Sequence, residues 1–89
     1  MLSEKEKTVI INCAKKYDVK TIYLFGSSLN SDTKARDIDL GVKGINPSFF
    51  FKFYGELIAQ LPKPVDLVDL STKTRFNDLV EKRGAKIYG

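Results

Sequence analysis

The feature that most constrains this chain is a pair of strand-like runs separated by a polar loop. The first run, Lys20–Phe25, is rich in β-branched and aromatic residues, and the second, Asp37–Val42, has an aliphatic residue at every second position. Successive strand side chains point to opposite faces, so Asp37 and Asp39 would project together from one face. Neighbouring carboxylates repel each other unless a positive charge lies near them, and a divalent metal ion is the usual occupant. The segment therefore predicts a sheet with one face on a core and a metal-binding opposite face.

The turn after the first run indicates what accompanies the metal. Gly26 would let the backbone approach a phosphate closely, and Ser27 would donate a hydrogen bond to that phosphate if a helix begins there. A Gly-Ser pair alone is most often an ordinary turn. Its place before the two aspartates, with Asp37 ten residues after Ser27, is what favours a phosphate-binding loop.

A third carboxylate is predicted from the apolar run Val65–Leu70, which we interpret as the third strand. Asp66 and Asp69 are three residues apart and therefore point to opposite faces. If Asp66 points outward, Val65 and Leu67 face the core, whereas the other register buries a carboxylate at a cost of several kcal/mol. Asp66 is therefore predicted to join the acidic face, and Asp69 is predicted to help start the last helix.

Three carboxylates beside a Gly-Ser turn predict two-metal phosphoryl transfer. Asp37 and Asp39 would bind two Mg²⁺ ions, one on a nucleoside triphosphate and one on the acceptor hydroxyl. Asp66 would bind the second ion and accept the proton of that hydroxyl. Mn²⁺ also suits carboxylate oxygens, so the working metal stays open.

The absence of histidine limits the other chemistry that the chain could perform. It excludes Ser-His and Cys-His nucleophile systems and histidine-ligated zinc, and the P-loop and G-x-G-x-x-G fingerprints are absent as well.

Three features predict a cytoplasmic protein: a single cysteine, Cys13, no apolar signal segment and no membrane span. The formal charge of +4 suits an anionic partner such as nucleic acid, and suits an ordinary basic surface equally well.

Helical periodicity predicts three helices. The first follows a capping-box pattern, Ser3 with Glu6, and its buried stripe would be Val9, Ile10, Cys13, Ala14 and Tyr17. The second would start at Asn46 and Pro47 and span 47–61, with a buried stripe of Phe50, Phe53, Tyr54, Leu57, Ile58 and Leu61. Phe49 and Phe51 would flank this stripe, which makes the helix either deeply embedded or a surface for a partner subunit.

The last helix would be capped by Ser71 or Thr72 and would pack Phe76, Leu79 and Val80 on the sheet. A short apolar tail at Ile87 and Tyr88 would pack or pair at a sheet edge. Together the elements predict a single α/β (α+β) domain over residues 1–89. Its small mixed sheet would have the helices on one face and the acidic site on the other.

This combination of motifs resembles the minimal nucleotidyltransferases of the DNA polymerase β superfamily. Their signature is a hydrophobic strand into Gly-Ser, about ten residues, an Asp-h-Asp-h strand, where h is hydrophobic, and a third acidic residue on a later strand. Here these parts are Leu24–Ser27, Asp37–Leu40 and Val65–Val68. The resemblance covers nearly the whole chain and implies a nucleotidyltransferase fold.

The resemblance also implies a function. Members transfer a nucleoside monophosphate, typically AMP from Mg-ATP, to a hydroxyl of a protein or other macromolecule, and the small members act as antitoxins to HEPN-type ribonucleases. It implies nucleotide-binding roles for Gly26, Ser27 and Ser28. It implies catalytic and metal-binding roles for Asp37, Asp39 and Asp66.

The loop after the Gly-Ser turn departs from many small relatives. It has Leu29-Asn30-Ser31 where they have Ala-Arg-Gly, so a basic triphosphate contact is either missing or supplied by Lys34, Arg36 or Lys43. The alternative function is therefore an interaction module that neutralises a partner by binding, with little or no turnover. Under either function a HEPN-type partner, or a second copy of the chain, would dock on the Phe-rich helix 47–61. A nucleic-acid-binding domain is a third interpretation, supported only by charge and scattered aromatic residues.

Overall fold

The computed structural model describes residues 2–26 and 37–89, which contain three α-helices and a four-stranded sheet. The helices are α1 Glu4–Lys16, α2 Phe50–Gln60 and α3 Arg75–Arg83, and a single 3-10 turn, Pro47–Phe49, precedes α2. The strands are β1 Thr21–Phe25, β2 Ile38–Lys43, β3 Val65–Asp69 and β4 Ala85–Tyr88. Within these residues no helix is long and apolar enough to cross a membrane. Ser27, Ser28, Lys34 and Arg36 lie outside the described residues.

The sheet is mixed, with the strand order β3-β2-β1-β4. β1 runs antiparallel to β2 and to β4, and β2 runs parallel to β3. The predicted edge pairing of the C-terminal tail is therefore confirmed, since Tyr88 pairs with Ile22. The predicted α/β (α+β) fold class with a small mixed sheet is confirmed as well.

One face of the sheet forms the core with α1 and α2. The buried strand residues Ile22, Leu24, Ile38, Leu40 and Val42 belong to one cluster with Ile10, Cys13, Ala14, Phe53 and Leu57 of the helices. Cys13 is 3% exposed and behaves as the small buried hydrophobe that its position predicts. These two helices therefore cover the face opposite the carboxylates, as predicted.

The start of α1 follows the capping-box prediction. The Ser3 hydroxyl accepts from the Glu6 backbone N–H at 3.1 Å, and the Glu6 carboxylate accepts from the Ser3 N–H at 2.9 Å. Two backbone N–H groups at the helix start are satisfied in this way, and a cap of this kind stabilises a helix by about 1 kcal/mol. Glu6 is buried, and Lys63 lies 3.8 Å from its carboxylate.

The third helix departs from the predicted layering, because α3 packs on the acidic face of the sheet. A Cβ added to Gly41 would lie 2.6 Å from Leu70 and 3.2 Å from Val80, so these side chains cover Gly41 on the face that it shares with Asp39. The Lys43 ammonium, also on that face, donates to the Glu81 carboxylate of α3 at 2.6 Å. A glycine at position 41 therefore lets a helix approach β2 beyond the acidic site.

Ile58, predicted to be buried, and Phe76 and Leu79, predicted to pack on the sheet, are substantially exposed, although the Phe76 ring does contact Phe25 of β1. Ile58 is 54% exposed because it follows Phe53 by five positions, about 140° around the helix, and so lies at the edge of the buried stripe. Phe76 and Leu79 are 52% and 42% exposed, while Val80 is buried as predicted. The inner side of α3 is formed instead by Val80 and the buried Asn77.

Asn77 is the reason that α3 begins later than predicted. Its side-chain amide donates to the backbone carbonyls of Asp69 and Thr72 at 3.2 and 2.6 Å, which holds the turn after β3 against the helix. The Asp69 carboxylate accepts from the Ser71 N–H, so this aspartate stabilises the turn and not the helix start. Thr74 is the N-cap, accepting from the Asn77 N–H at 3.0 Å, and the predicted caps Ser71 and Thr72 are wrong.

Candidate active site

Strand pairing brings the predicted carboxylates together. Asp39 lies within β2, Asp37 immediately precedes that strand, and Asp66 lies in the neighbouring parallel strand directly beside Asp39. Val65 is buried and Asp66 is exposed, so β3 has the register in which its carboxylate points away from the core. β2 is hydrogen-bonded on both sides, by β1 and by β3, which holds the position of Asp39 within the sheet.

The electrostatics of Asp39 reflect this crowding. Burial raises the pKa of its carboxyl above the ordinary value, and the nearby charges of Asp66 and Asp37 and a hydrogen bond with the Asp66 side chain raise it further. Each of these causes disfavours the ionised carboxylate. A cation bound at this point would reverse the effect, because it would favour the charged form of all three carboxyls.

Gly26 forms the wall of this site at the end of β1. Its φ is +66°, a conformation that side chains other than glycine rarely adopt, and an added Cβ would lie 2.5 Å from the Asp39 carboxylate oxygen Oδ2. Two features therefore favour glycine at this position: the positive φ of the backbone and the close approach of the Asp39 carboxylate. The predicted nucleotide-binding residues Ser27 and Ser28 follow Gly26 in the sequence and lie outside the described residues.

The donor set fits a hard divalent cation, although the described residues do not form a closed metal cage. Asp39 and Asp66 are directly paired residues of neighbouring strands, and the charges of Asp66 and Asp37 both raise the pKa of Asp39. Among the described residues, no group of three or more His, Cys, Asp or Glu side chains is arranged to hold an ion. Mg²⁺ is commonly held by one or two carboxylates together with substrate phosphates, so this geometry suits an ion that arrives with a nucleotide.

One candidate for the missing basic phosphate contact is engaged elsewhere. Lys43 shares the face of Asp39 but lies four residues further along β2, about 13 Å away at the usual rise of a strand. Its ammonium is bound to Glu81 of α3, which raises the pKa of the lysine. Lys43 therefore ties the helix to the sheet, and the predicted alternatives Lys34 and Arg36 lie outside the described residues.

Sequence reasoning did not detect the contribution of α3 to this side of the molecule. Phe25 of β1 pairs with Asp39 of β2. The Phe25 ring packs edge-on against the ring of Phe76 of α3, with 5.8 Å between centroids. The signal was present in Gly41, because a glycine inside an otherwise aliphatic strand marks a close approach by another element.

Comparison with known proteins gives a family match over most of the chain. The model of the family described as "Polymerase beta, Nucleotidyltransferase" matches residues 8–89. No curated protein matches the chain.

Several solved structures share the fold over nearly the whole chain. One is a complex of a tri-AMPylated Shewanella oneidensis HEPN toxin with an MNT antitoxin, with a TM-score of 0.72, 28% identity, and coverage of 94% of this chain and 70% of the other. A toxin–antitoxin structure with AMP-PNP has a TM-score of 0.75, 24% identity, and coverage of 93% and 73%. The toxin–antitoxin MntA–HepT has a TM-score of 0.72, 22% identity, and coverage of 98% and 73%.

The resemblance inferred from three short motifs is thus confirmed by a family match over almost all of the sequence. The chain belongs to the polymerase beta nucleotidyltransferase family.

Proposed function

We propose that this chain is a metal-dependent nucleotidyltransferase that transfers AMP from ATP to a hydroxyl of a HEPN-type protein partner, and so acts as its antitoxin. The observation that carries the proposal is the pairing of Asp39 with Asp66 beside Gly26, with Asp37 within electrostatic range. The choice of AMP and of a HEPN-type acceptor is supported by similarity to the antitoxin complex that contains an AMPylated toxin.

The proposed reaction needs few groups from the protein. The acceptor oxygen forms a bond to the α-phosphorus, the bond from that phosphorus to the bridging oxygen breaks, and pyrophosphate leaves with the electron pair. Asp66 receives the proton of the acceptor hydroxyl, and Asp37, Asp39 and Asp66 would together hold the divalent metal. Mg²⁺ or Mn²⁺, when bound, would supply electrostatic stabilisation of the charge that develops on the phosphoryl oxygens.

The glycine and the two serines have the proposed role of holding the triphosphate. Gly26 brings the backbone next to the Asp39 carboxylate without a side chain between them. A phosphate held by the following Ser27 and Ser28 would then place the α-phosphorus near the carboxylates. Backbone N–H groups are the usual donors to such phosphates, which is why side-chain charge in the loop is not essential.

The test is transfer of label from ATP radiolabelled at the α-phosphate, in the presence of Mg²⁺ and a candidate acceptor protein. The candidate acceptor is the product of the gene adjacent to the one that encodes this chain. Asp39→Asn and Asp66→Asn should each lower the rate on the order of a hundredfold or more, as expected when a group that stabilises transition-state charge is lost. Asp69→Asn is the matched control, because Asp69 lies on the same strand and an asparagine retains the oxygen that accepts from Ser71. Equal rates in all three variants and the wild type would exclude the proposed roles.

The second candidate function is neutralisation of a partner by binding alone. It is favoured by the apolar surface of α2, where Phe51 is 81% and Ile58 is 54% exposed, within the segment predicted as a docking helix. If Asp39→Asn neutralises the partner as well as the wild type does, and neither protein transfers label, the binding function is correct and the transferase proposal fails.

A further inference from the structure

Two exposed apolar surfaces lie on opposite sides of the sheet. The first is on α2, where Phe51 and Ile58 are exposed, and the second is on α3, where Phe76 and Leu79 are exposed. α2 packs on the core face, whereas α3 packs on the face that carries Asp39. A protein bound to the α2 surface would therefore be separated from the carboxylates by the sheet, and a protein bound to the α3 surface would not.

A groove runs between the end of β1 and α3. This α3 groove has a volume of about 180 Å³ and is lined by Phe25, Gly26, Phe76, Leu79, Val80 and Arg83. Gly26 is also the residue whose added Cβ would collide with the Asp39 carboxylate. One end of the α3 groove is therefore in direct contact with the candidate active site.

The size and lining of the α3 groove suit a single anchoring side chain. Pockets for small molecules have volumes of roughly 300–1,000 Å³, and this groove is smaller. Its walls are the rings of Phe25 and Phe76, the aliphatic side chains of Leu79 and Val80, and the stem of Arg83. Apolar residues that fill such pockets are the typical anchors of protein interfaces.

Charge on α3 and on the turn before it indicates the chemistry of the partner, and one of these basic residues, Arg83, lines the α3 groove. Residues 73–83 contain four basic side chains and two acidic ones. One of the acidic side chains, Glu81, is engaged by Lys43. The basic residues Lys73, Arg75, Lys82 and Arg83 are exposed. A partner that presents carboxylates beside an apolar anchor would complement this surface, and charge complementarity of this kind guides association and orientation.

We propose that the α3 groove is the docking site for the acceptor protein, which inserts an apolar side chain with acidic residues beside it and thereby presents its hydroxyl to the carboxylate site. This inference rests on the proposed nucleotidyl transfer and names the surface that selects the acceptor. The α2 surface, on the far side of the sheet, has no part in presenting the hydroxyl.

The lining distinguishes a protein acceptor from a nucleic acid. Single-stranded nucleic acids are bound by aromatic faces on which bases stack, together with basic residues along the backbone. Phe25 and Phe76 contact each other at an interplanar angle of 81°, so the pair forms the wall of a pocket and not a parallel stacking platform. Leu79 and Val80 add aliphatic surface that a base would not require.

The experiment compares Phe76→Ala with Phe51→Ala in steady-state transfer of label from Mg-ATP to the neighbouring gene's protein product. Phe76→Ala should raise the KM for the acceptor protein about tenfold, while kcat and the KM for ATP change less than twofold. Arg83→Glu, which reverses a charge at the rim of the groove, should raise the same KM and make it less sensitive to salt. Phe51→Ala, on the alternative surface of α2, should raise the KM for the acceptor protein less than Phe76→Ala does.

Each other outcome decides the question as well. If Phe51→Ala raises the KM for the acceptor as much as Phe76→Ala does, or if label enters RNA in place of the protein, the α3 groove is not the acceptor site. If the wild type transfers no label, the proposed function fails, and calorimetric binding of the same partner then tests the surface by itself. Weaker binding of Phe76→Ala than of Phe51→Ala would support docking at α3, and the reverse order would overturn it.

Discussion

Two carboxylates on opposite sides of the sheet have opposite pKa shifts. Asp39, on the acidic face, has a raised pKa because burial and two neighbouring aspartates disfavour its charge. Glu56, on α2, has a lowered pKa because Lys16 and the Tyr17 hydroxyl donate to it, the latter at 2.8 Å. On one side of the sheet, hydrogen-bond donors therefore stabilise the charge of Glu56. On the other side, neighbouring carboxylates and burial disfavour the charge of Asp39.

The charged groups on the two sides of the sheet therefore affect the stability of the fold differently. The Glu56 cluster joins α1 to α2 across the outside of the core, with the Cys13 thiol also donating to Glu56 at 3.8 Å. The contacts from Lys16 and Tyr17 favour the ionised form of the Glu56 carboxylate. The crowding of carboxylates on the acidic face opposes folding at neutral pH, because it raises the pKa of Asp39.

The largest expected effect on stability comes from the core between the sheet and the helices α1 and α2. Phe53 is 0% exposed, so Phe53→Ala should lower the free energy of unfolding by about 3–5 kcal/mol, through lost burial and the cavity that remains. Phe76→Ala, on the acidic side, should cost less than about 1.5 kcal/mol because half of that side chain is exposed. Urea denaturation of both variants measures the difference, and Phe53→Leu serves where the alanine variant does not fold. Equal costs would contradict the assignment of the core to one side.

The next effect tests the contact between Gly26 and Asp39. Gly26→Ala should lower transfer activity at least about tenfold, and should reduce stability by about 1–3 kcal/mol, because the backbone is strained and the new methyl group displaces the carboxylate. Gly55→Ala is the control, since nothing lies within 4 Å of its added Cβ, and a helical alanine should increase stability by up to about 1 kcal/mol. If Gly26→Ala has full activity, Gly26 does not position the carboxylate.

The contribution of the Glu56 cluster to stability should depend on pH. Because the pKa of Glu56 is lower in the folded state than in the unfolded state, its contribution to stability is present above the unfolded value of about 4.3 and is lost as pH falls through the folded pKa. Glu56→Gln should therefore melt at a lower temperature than the wild type at pH 7, with the two curves converging in acid. A constant difference from pH 7 to pH 3 would show that the charge of Glu56 is not involved.

The smallest effect has the opposite sign. Since the pKa of Asp39 is raised by folding, its charge opposes folding at neutral pH, and Asp39→Asn should increase stability slightly as it removes activity. The gain should be below about 1 kcal/mol, because the carboxyl is partly exposed and solvent screens the repulsion. Thermal melting at pH 7 without added metal measures it, and a clear loss of stability would contradict the comparison of the two sides.

Much of the acidic face was predictable because it depends on alternation along strands. Asp37 and Asp39 share a face by their spacing, and Asp66 joins them because the opposite register would bury a carboxylate. The capping box at Ser3 was predictable for a similar reason, since both of its hydrogen bonds join residues three apart. The family resemblance followed from these same local motifs.

The exposure of the helices was predicted less well. Helical spacing identified an apolar arc on α2 but did not define its edge, and Ile58 lies beyond it. On α3 the buried side includes Asn77, whose amide donates to two carbonyls of the preceding turn, and Phe76 and Leu79 are left about half exposed. No periodicity of apolar residues contains that information, because the deciding contact is polar.

The sequence by itself determined the element types, the placement of the carboxylates on one face and the family, because each depends on spacings of two to four residues or on short motifs. Only the tertiary structure decided which element covers which face. It placed α3 over Gly41 beside the carboxylates, brought Gly26 against Asp39, and joined Glu56 to Lys16 forty positions away. Such contacts join residues far apart in the chain, and their energies depend on the packing of whole elements, which local patterns do not specify.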